Sequence, residues 1–402
     1  MESGTSSFNR TPHSERLHIA LFGRRNVGKS SLINALTGQH AALVSDVPGT
    51  TTDPVFKAME ISPIGPCVLI DTAGFDDVGA VGELRNKLTH EVIKQTDIAI
   101  IVTDGSSIDE ETAWAQLLKL ANVPYVAVLN KVDLMTEGHS TLLARIAKRL
   151  GCDSVPVSAI NGTGLDLLRL TMARLVPEAE KQSITGKLAA PGDTVLLVMP
   201  QDPQAPKGRL ILPQVQTLRD LLDKSCTAIC CTPHDIDRTI AALKAPPQLV
   251  ITDSQVFDIV EKKMPPNSLL TSFSVLMAAH KGDISYFVHS AAAIDRLTVN
   301  SRVLIAEACT HAPLAEDIGR EKIPRLLRNR VGQELNVDIV AGKDFPDSLA
   351  DYDLIIHCGG CMFNRRFMLQ RVEQCRQQGV PMTNYGIAIA HIKGILDKVS
   401  LP

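Results

Sequence analysis

The chain has 402 residues, of which 45% are apolar, 21% charged and only 4% aromatic, and its formal net charge is −3. That length and apolar content predict two or three domains with substantial cores, and they exclude a disordered chain. The balance of 41 basic against 44 acidic residues, with so few aromatics, argues against a nucleic-acid coat and against a polybasic membrane binder. No apolar run approaches the roughly 18 residues that would span a bilayer, so no membrane segment is expected. Nine cysteines are an odd number, and the polar stretch Met1 to Glu15 lacks the apolar core of a signal peptide. Both features favour reduced thiols in the cytoplasm, with any special pair binding a metal.

Residues 1–14 read as a flexible leader of Ser, Thr, Asn and Pro. From Leu17 the strand L-H-I-A-L-F runs into a glycine loop and then a helix, S-S-L-I-N-A-L. Four more short apolar runs follow, C-V-L-I-D-T, D-I-A-I-I-V-T-D, Y-V-A-V-L-N and S-V-P-V-S, separated by amphipathic stretches. Apolar runs alternating with helices predict an α/β fold whose parallel sheet is covered on both faces. The first domain is expected over 15–178. Two smaller α/β domains with parallel sheets are expected after it, at 186–265 and 266–402. Their strands are T-V-L-L-V-M, T-A-I-C-C-T and Q-L-V-I-T-D in the former, and S-L-L-T-S-F, R-V-L-I-A-E-A, V-D-I-V-A, Y-D-L-I-I-H and P-M-T-N-Y in the latter. Pro265-Pro266 is the only punctuation between them.

Gly23 to Ser30 reads G-R-R-N-V-G-K-S, a phosphate loop placed after a strand and before a helix. In such a loop the glycines free backbone N–H groups, through Asn26, Val27 and Gly28 and on to Ser30 and Ser31, to wrap the phosphates at a helix N-terminus. Lys29 is expected to reach the β- and γ-phosphates and the Ser30 hydroxyl to coordinate Mg²⁺. Four further pieces follow in the right order. Asp71, Thr72, Ala73 and Gly74 end a strand, where the carboxylate can touch the Mg²⁺ shell and the Gly74 N–H can sense a γ-phosphate. Asn130 to Asp133 (N-K-V-D, with Lys131) ends another strand, and the Asp133 carboxylate can accept both N1–H and N2–H of guanine, which adenine cannot offer. Ser158-Ala159 lies where a backbone N–H would meet guanine O6. P-G-T-T-T-D, with Thr50 and Thr51, supplies a threonine to complete the Mg²⁺ shell. Together these predict a site for GTP and GDP with Mg²⁺. Arg24 and Arg25 are expected to be loop residues facing solvent or a partner.

G-R-R-N-V-G-K-S-S-L-I-N-A-L and V-S-D-V-P-G-T-T-T-D resemble the translation-factor-like GTPases, and within them the potassium-dependent branch typified by the tRNA-modification GTPases. The resemblance implies Asn26 as a side-chain ligand for K⁺, Ser45, Val47 and Thr50 as further K⁺ contacts, and Thr51 on Mg²⁺. K⁺ there would supply the charge that an arginine finger supplies elsewhere. Phe75 stands where Ras-like proteins carry a water-orienting glutamine, and Glu83 lies where this branch places a water-activating carboxylate. Thr52 replaces the arginine usual in the branch.

Near the C-terminal end, Cys309-Thr310-His311 and His357-Cys358-Gly359-Gly360-Cys361 each follow a predicted strand. Carboxyl ends of parallel strands share one edge, so the two stretches are expected to converge there. Three thiolates with one imidazole suit a Cys₃His zinc site or a 4Fe–4S cluster with a loose fourth position, and buried free thiols are the third reading. Cys67, Cys152 and Cys375 read as packing or surface residues. Cys226, Cys230 and Cys231 read as small apolar residues, the last two facing opposite sides of a strand. Arg365, Arg366, Arg371 and Arg376 read as a solvated helix face.

A GTPase followed by C-x-H and then H-C-x-x-C resembles the family of FeFe-hydrogenase maturation GTPases, over the whole chain. The resemblance implies a dimerisation domain at 186–265 and a cluster-binding domain at 266–402. It implies that Cys309, Cys358 and Cys361 hold a 4Fe–4S cluster, with His311 or His357 as fourth ligand or as an orienting neighbour. It further implies a homodimeric, cytoplasmic scaffold that receives the 2Fe precursor of the hydrogenase active site from two radical-SAM maturases and delivers it to apo-hydrogenase, with GTP hydrolysis as its one chemical step. Two other classes compete: an RNA-modification or ribosome-assembly GTPase with structural zinc, and a redox-sensing GTPase switch.

Overall fold

The computed structural model describes residues 13–37, 55–72, 89–135, 139–177, 183–200, 210–308, 318–342, 344–360 and 362–402. The chain divides into two compact units, Met1–Glu180 and Lys181–Pro402.

The first unit carries a six-stranded sheet built from β1 (Leu17–Phe22), β2 (Val55–Ile61), β3 (Gly65–Asp71), β4 (Ile98–Thr103), β5 (Tyr125–Leu129) and β6 (Ser154–Pro156), in the order β2-β3-β1-β4-β5-β6. β1 and β4 are buried at every position, because helices cover both faces of the sheet. Leu21, Leu32, Val102 and Val128 fill one face, and Phe22, Ile101, Leu118 and Ile146 the other. Its helices include α1 (Lys29–Thr37), α2 (Asp109–Leu120), α3 (His139–Leu150) and α4 (Leu165–Leu175). β2 is an edge strand absent from the sequence reading, and it pairs antiparallel with β3. Its sequence V-F-K-A-M-E-I mixes charges with apolar residues, and Val55 and Phe56 stay exposed, so no continuous buried run marked it.

The second unit holds two four-stranded parallel sheets. One contains β7 (Thr194–Val198), β8 (Thr227–Cys231), β9 (Leu249–Thr252) and β10 (Leu269–Ser272), in the order β10-β9-β7-β8. The helices of this half are α5 (Leu212–Asp223), α6 (Ile236–Ala241), α7 (Phe257–Glu261) and α8 (Phe273–Lys281). The other sheet contains β11 (Arg302–Glu307), β12 (Asn336–Ala341), β13 (Leu354–His357) and β14 (Met382–Asn384), in the order β12-β11-β13-β14, with α9 (Ile284–Ala291), α10 (Ile323–Val331), α11 (Arg365–Gln377) and α12 (Tyr385–Ile392). L-L-T-S, assigned from sequence to the last block, is β10, paired in register with β9. The prolines at 265–266 interrupt a connection inside one sheet and mark no change of sheet. A single core runs through both halves, joining Leu196, Val250 and Leu270 to Phe287, Leu304, Ile355 and Ile387. That shared core is why the two sheets form one unit. Among the described residues, no helix is long and apolar enough to cross a membrane.

Candidate functional site

In the first sheet the strand order reverses around β1, whose neighbours are β3 and β4. A crevice opens at the carboxyl ends of strands where the order reverses, and ligands of α/β sheets bind there. The loop after β1 occupies this place. A Cβ on Gly23 would lie 2.3 Å from the Val102 carbonyl oxygen, and one on Gly28 would lie 2.3 Å from Asn130 Nδ2. Gly28 and Asn26 adopt left-handed φ values of 95° and 61°. The loop therefore needs glycine at these two close approaches, and its curvature leaves backbone N–H groups facing inward.

The side chains expected at this site converge. The Lys29 ammonium donates to the carbonyls of Gly23 (2.5 Å) and Arg24 (2.9 Å), which holds it within the loop. The Ser30 hydroxyl donates to Asp71 Oδ2 at 2.7 Å, so the two oxygens expected around Mg²⁺ are neighbours. The Thr72 hydroxyl ties the strand end to the Leu21 carbonyl. Ser31 is exposed at the start of α1, and Val27 is buried beneath the loop. Asn130 is buried and bridges two loops: its Nδ2 donates to the Val27 carbonyl at 2.9 Å, and its Oδ1 accepts from the Ala159 N–H at 3.2 Å. Lys131 Nζ reaches the Asn26 carbonyl, and the Ser158 hydroxyl donates to Asp133 Oδ1 at 2.5 Å. The residues that would hold the phosphates and those that would read the base are thus linked by direct hydrogen bonds. Ser45, Val47, Thr50, Thr51, Ala73, Gly74 and Glu83 lie outside the described residues.

Arg24 departs from the sequence expectation. Its Nε donates to Glu111 Oε1 at 3.1 Å, and its Nη2 donates to Asp104 Oδ1 (3.1 Å), Ser106 Oγ (2.8 Å) and the Ser107 carbonyl (3.2 Å). It is an internal strut between the loop, the end of β4 and α2. Burial raises the Glu111 pKa, with Arg24 opposing the rise. Burial also works against the Asp104 carboxylate, but hydrogen bonds from Ser106 and the charge of Arg24 outweigh it and lower that pKa.

In the last sheet the order reverses around β11, which lies between β12 and β13. Ala306 is paired with His357, so the chain leaves β11 toward Cys309 beside the point where β13 delivers Cys358. The Ala308 N–H donates to Cys358 Sγ at 3.0 Å, and the Gly360 N–H approaches the same sulfur at 3.4 Å. The end of β11 at Ala308 and the turn after β13 therefore lie side by side at one sheet edge. Cys309, His311 and Cys361 lie outside the described residues. Among the described residues no group of three or more metal-ligating side chains forms.

His357 is fully buried, with Nδ1 on the Cys358 carbonyl (2.8 Å) and Nε2 on Arg371 Nη1 (2.7 Å). A carbonyl only accepts and a guanidinium only donates, so the ring is the neutral Nδ1–H tautomer. Burial first, and the Arg371 charge second, push its pKa down to about 3. Both ring nitrogens are engaged, and this arrangement suits an orienting neighbour rather than an iron ligand. Arg371 itself overturns the reading of its helix as a solvated basic face: it is buried in α11. Arg376 of that group pairs with Asp283 and stacks on Tyr286.

The buried cysteines outside these stretches, Cys67, Cys226 and Cys375, pack in the cores. Cys67 and Cys375 are buried, and burial raises each thiol pKa to about 12. On β8, Cys230 is exposed while Cys231 packs against the core, so the two do face opposite ways.

Three family models match the chain. Residues 18–131 match a model described as a 50S ribosome-binding GTPase. Residues 184–282 match the hydrogen maturase F dimerisation domain, and residues 285–402 match the hydrogen maturase F tetramerisation domain. The last two are models of one family and together span more than half of the chain. The chain belongs to the hydrogen maturase F family. Its N-terminal unit carries the P-loop GTPase domain, which implies GTP or GDP with Mg²⁺, and its other unit carries the two oligomerisation domains of the maturase F family. The block read from sequence as cluster-binding is the one that matches the tetramerisation model. The tRNA modification GTPase MnmE of Nitrosomonas europaea is 35% identical over 162 residues, which cover 40% of this maturase F chain and 35% of that protein. GTPase Era of Xanthomonas oryzae is 36% identical over 168 residues, covering 40% of this chain and 56% of its own length. This maturase F chain thus matches only about a third to a half of the length of these curated relatives. Among solved structures, Aquifex aeolicus Era bound to GDP and AlF₄⁻ aligns with a TM-score of 0.36 at 19% identity, covering 63% of this chain and 99% of that one.

Proposed function

We propose that this chain is a GTP-hydrolysing scaffold that binds a 4Fe–4S cluster, carries the 2Fe precursor of the FeFe-hydrogenase active site and delivers it to the apo-enzyme. The observation that supports this best is the meeting of β11 and β13 in a maturase F chain, with Cys358 accepting backbone N–H groups from the residue preceding Cys309 and from Gly360. N–H donors aimed at a cysteine sulfur are the support a cluster thiolate needs, so the described residues fit the group. Cys309, Cys358 and Cys361 would hold it. When bound, such a cluster supplies one iron corner whose ligand can be replaced by a bridging group of the 2Fe cargo.

At the nucleotide site Lys29 and the loop N–H groups bind the phosphates, Ser30 and Asp71 flank the metal position, and Asp133 selects guanine. In this reading Thr51 completes the Mg²⁺ shell, and Asn26, Ser45, Val47 and Thr50 hold K⁺ in place of an arginine finger. Gly74 senses the γ-phosphate and Glu83 activates water. The commitment of Arg24 to Glu111 and Asp104 supports the same view, since it draws a nearby cation away from the phosphates. The partners are apo-hydrogenase, two radical-SAM maturases and further copies of the chain, as a dimer or higher oligomer. The protein acts in the cytoplasm.

Anaerobic reconstitution with iron and sulfide tests the reading. About four irons per chain are expected for the unaltered protein. Cys358→Ser loses them while GTP hydrolysis continues, and the loaded protein activates apo-hydrogenase. Stoichiometric zinc with no uptake of iron overturns the proposal. Hydrolysis faster in K⁺ than in Na⁺, with the difference removed by Asn26→Ala, tests the ion site. Equal rates in the unaltered protein defeat that part alone.

A further inference from the structure

Apart from His357, the residues that hold the turn after β13 belong to no motif. Gly360 has φ +63°, and a Cβ there would lie 2.6 Å from Met368 Sδ. A Cβ on Gly359 would lie 3.8 Å from the Cβ of Met277 in α8. Met277 and Lys281 are four residues apart, so they share a helix face. Lys281 is only 2% exposed, and its ammonium donates to the Phe363 carbonyl at 2.9 Å and approaches the Gly360 carbonyl at 3.4 Å. From α11, Arg371, 4% exposed, donates to His357 and to the Gly342 carbonyl at 2.7 Å each. Its guanidinium lies within 4.6–5.0 Å of the ring centroids of Phe345, Phe363 and Phe367. Through His357 it reaches the Cys358 carbonyl.

Burying a lysine and an arginine is costly unless their donors are satisfied, and apolar residues of similar volume would fill the same space. Lys281 holds the turn by the carbonyls of Gly360 and Phe363, and Arg371 holds it through the His357 ring, which donates to the Cys358 carbonyl. A buried positive charge there also acts on whatever charge the Cys358 turn carries, weakly screened by solvent. Adding an electron to a thiolate-bound cluster makes it more negative, so a nearby cation favours the reduced state.

We infer that Lys281 and Arg371 are positioning residues for the cluster site: from two helices they fix the turn after Cys358, Lys281 through the turn's carbonyls and Arg371 through the His357 ring, and their buried charges favour the reduced cluster. Lys281 lies in the segment matching the dimerisation model and the turn in the segment matching the tetramerisation model, so the turn is held by both. The inference rests on the cluster reading above.

The test uses the full-length protein reconstituted without oxygen, comparing Lys281→Gln, Lys281→Arg, Arg371→Met and Arg371→Lys with the unaltered chain. Each is first checked for an unchanged oligomer by gel filtration. Iron content is counted, and a redox titration followed by EPR gives the midpoint potential. The two neutral variants are expected to shift the midpoint downward, leaving a smaller fraction reduced at a fixed poise, while the two charge-conserving variants restore it. Iron lost in the neutral variants and regained in the charge-conserving ones also supports the inference. Unshifted midpoints at full iron content overturn it, and so does an equal change in all four variants, which would mean that shape alone matters. If Arg371→Met does not fold, Lys281→Gln, which keeps a neutral donor, decides alone. An unaltered protein that takes up no iron refutes the cluster reading instead, and is seen before any variant is made.

Discussion

The loop after β1 and the turn after β13 both leave the carboxyl end of a buried parallel strand where the strand order of a sheet reverses, yet they are held differently. The nucleotide loop is held mainly by residues of its own motifs: Lys29 on Gly23 and Arg24, Asn130 on Val27, and Lys131 on Asn26. The Cys358 turn is held by Lys281, His357 and Arg371, two of them on helices α8 and α11. A site that binds a ligand shared by many proteins can carry its support within a short recurring sequence. A site on a less common scaffold takes its support from wherever the fold brings a side chain close.

The largest break in this comparison is expected from Lys29→Ala. Removing the ammonium from the phosphate loop should lower GTP hydrolysis by at least about 10²-fold. Iron uptake should be unchanged, as read by phosphate release and iron content on the same sample. Gly360→Ala attacks the other loop. Forcing a side chain into left-handed backbone against Met368 should destabilise the second unit by about 1–3 kcal/mol. Iron binding should fall while nucleotide binding persists, as thermal unfolding and iron analysis would show. Asn130→Ala removes the bridge between the two halves of the nucleotide site. Two lost hydrogen bonds of about 1 kcal/mol each predict roughly 30-fold weaker GDP binding by calorimetry.

Thiol labelling gives the finest distinction. Burial favours the neutral thiol, so with pKa values near 12 Cys67 and Cys375 gain thiolate only as pH rises toward that value. At pH 8 only about one molecule in 10⁴ carries a thiolate at either position. Both should resist iodoacetamide. Cys358, only partly buried, should be labelled in iron-free protein and protected after reconstitution.

The nucleotide site was largely legible because its chemistry fixes residue types at fixed spacing, and the structure brings Lys29, Ser30, Asp71, Asn130, Asp133 and Ser158 together. The buried strands were legible because cover on both faces demands unbroken apolar runs, as in I-A-I-I-V-T. β2 was not, since an antiparallel edge strand with exposed Val55 and Phe56 carries no such run. β10 was legible as a strand but not as a member of its sheet, because strand order depends on packing against Leu196 and Val250 and not on L-L-T-S itself. Arg371 shows the same limit. On a helix rich in arginine, burial of one of them depends on Phe363 and Phe367 at the start of that helix and on Phe345 from another segment. Phe363 and Phe367 stood nearby in the sequence and were the available hint of an aromatic cage.

The grip of Arg24 on α2 has a mechanical meaning. Any displacement of the phosphate loop by nucleotide pulls on Glu111, a carboxylate set in the first turn of that helix. The loop and this helix are thus coupled at the helix's first turn through the Arg24–Glu111 ion pair. The far end of the helix, where Leu120 stands exposed, is where such a movement would reach the surface.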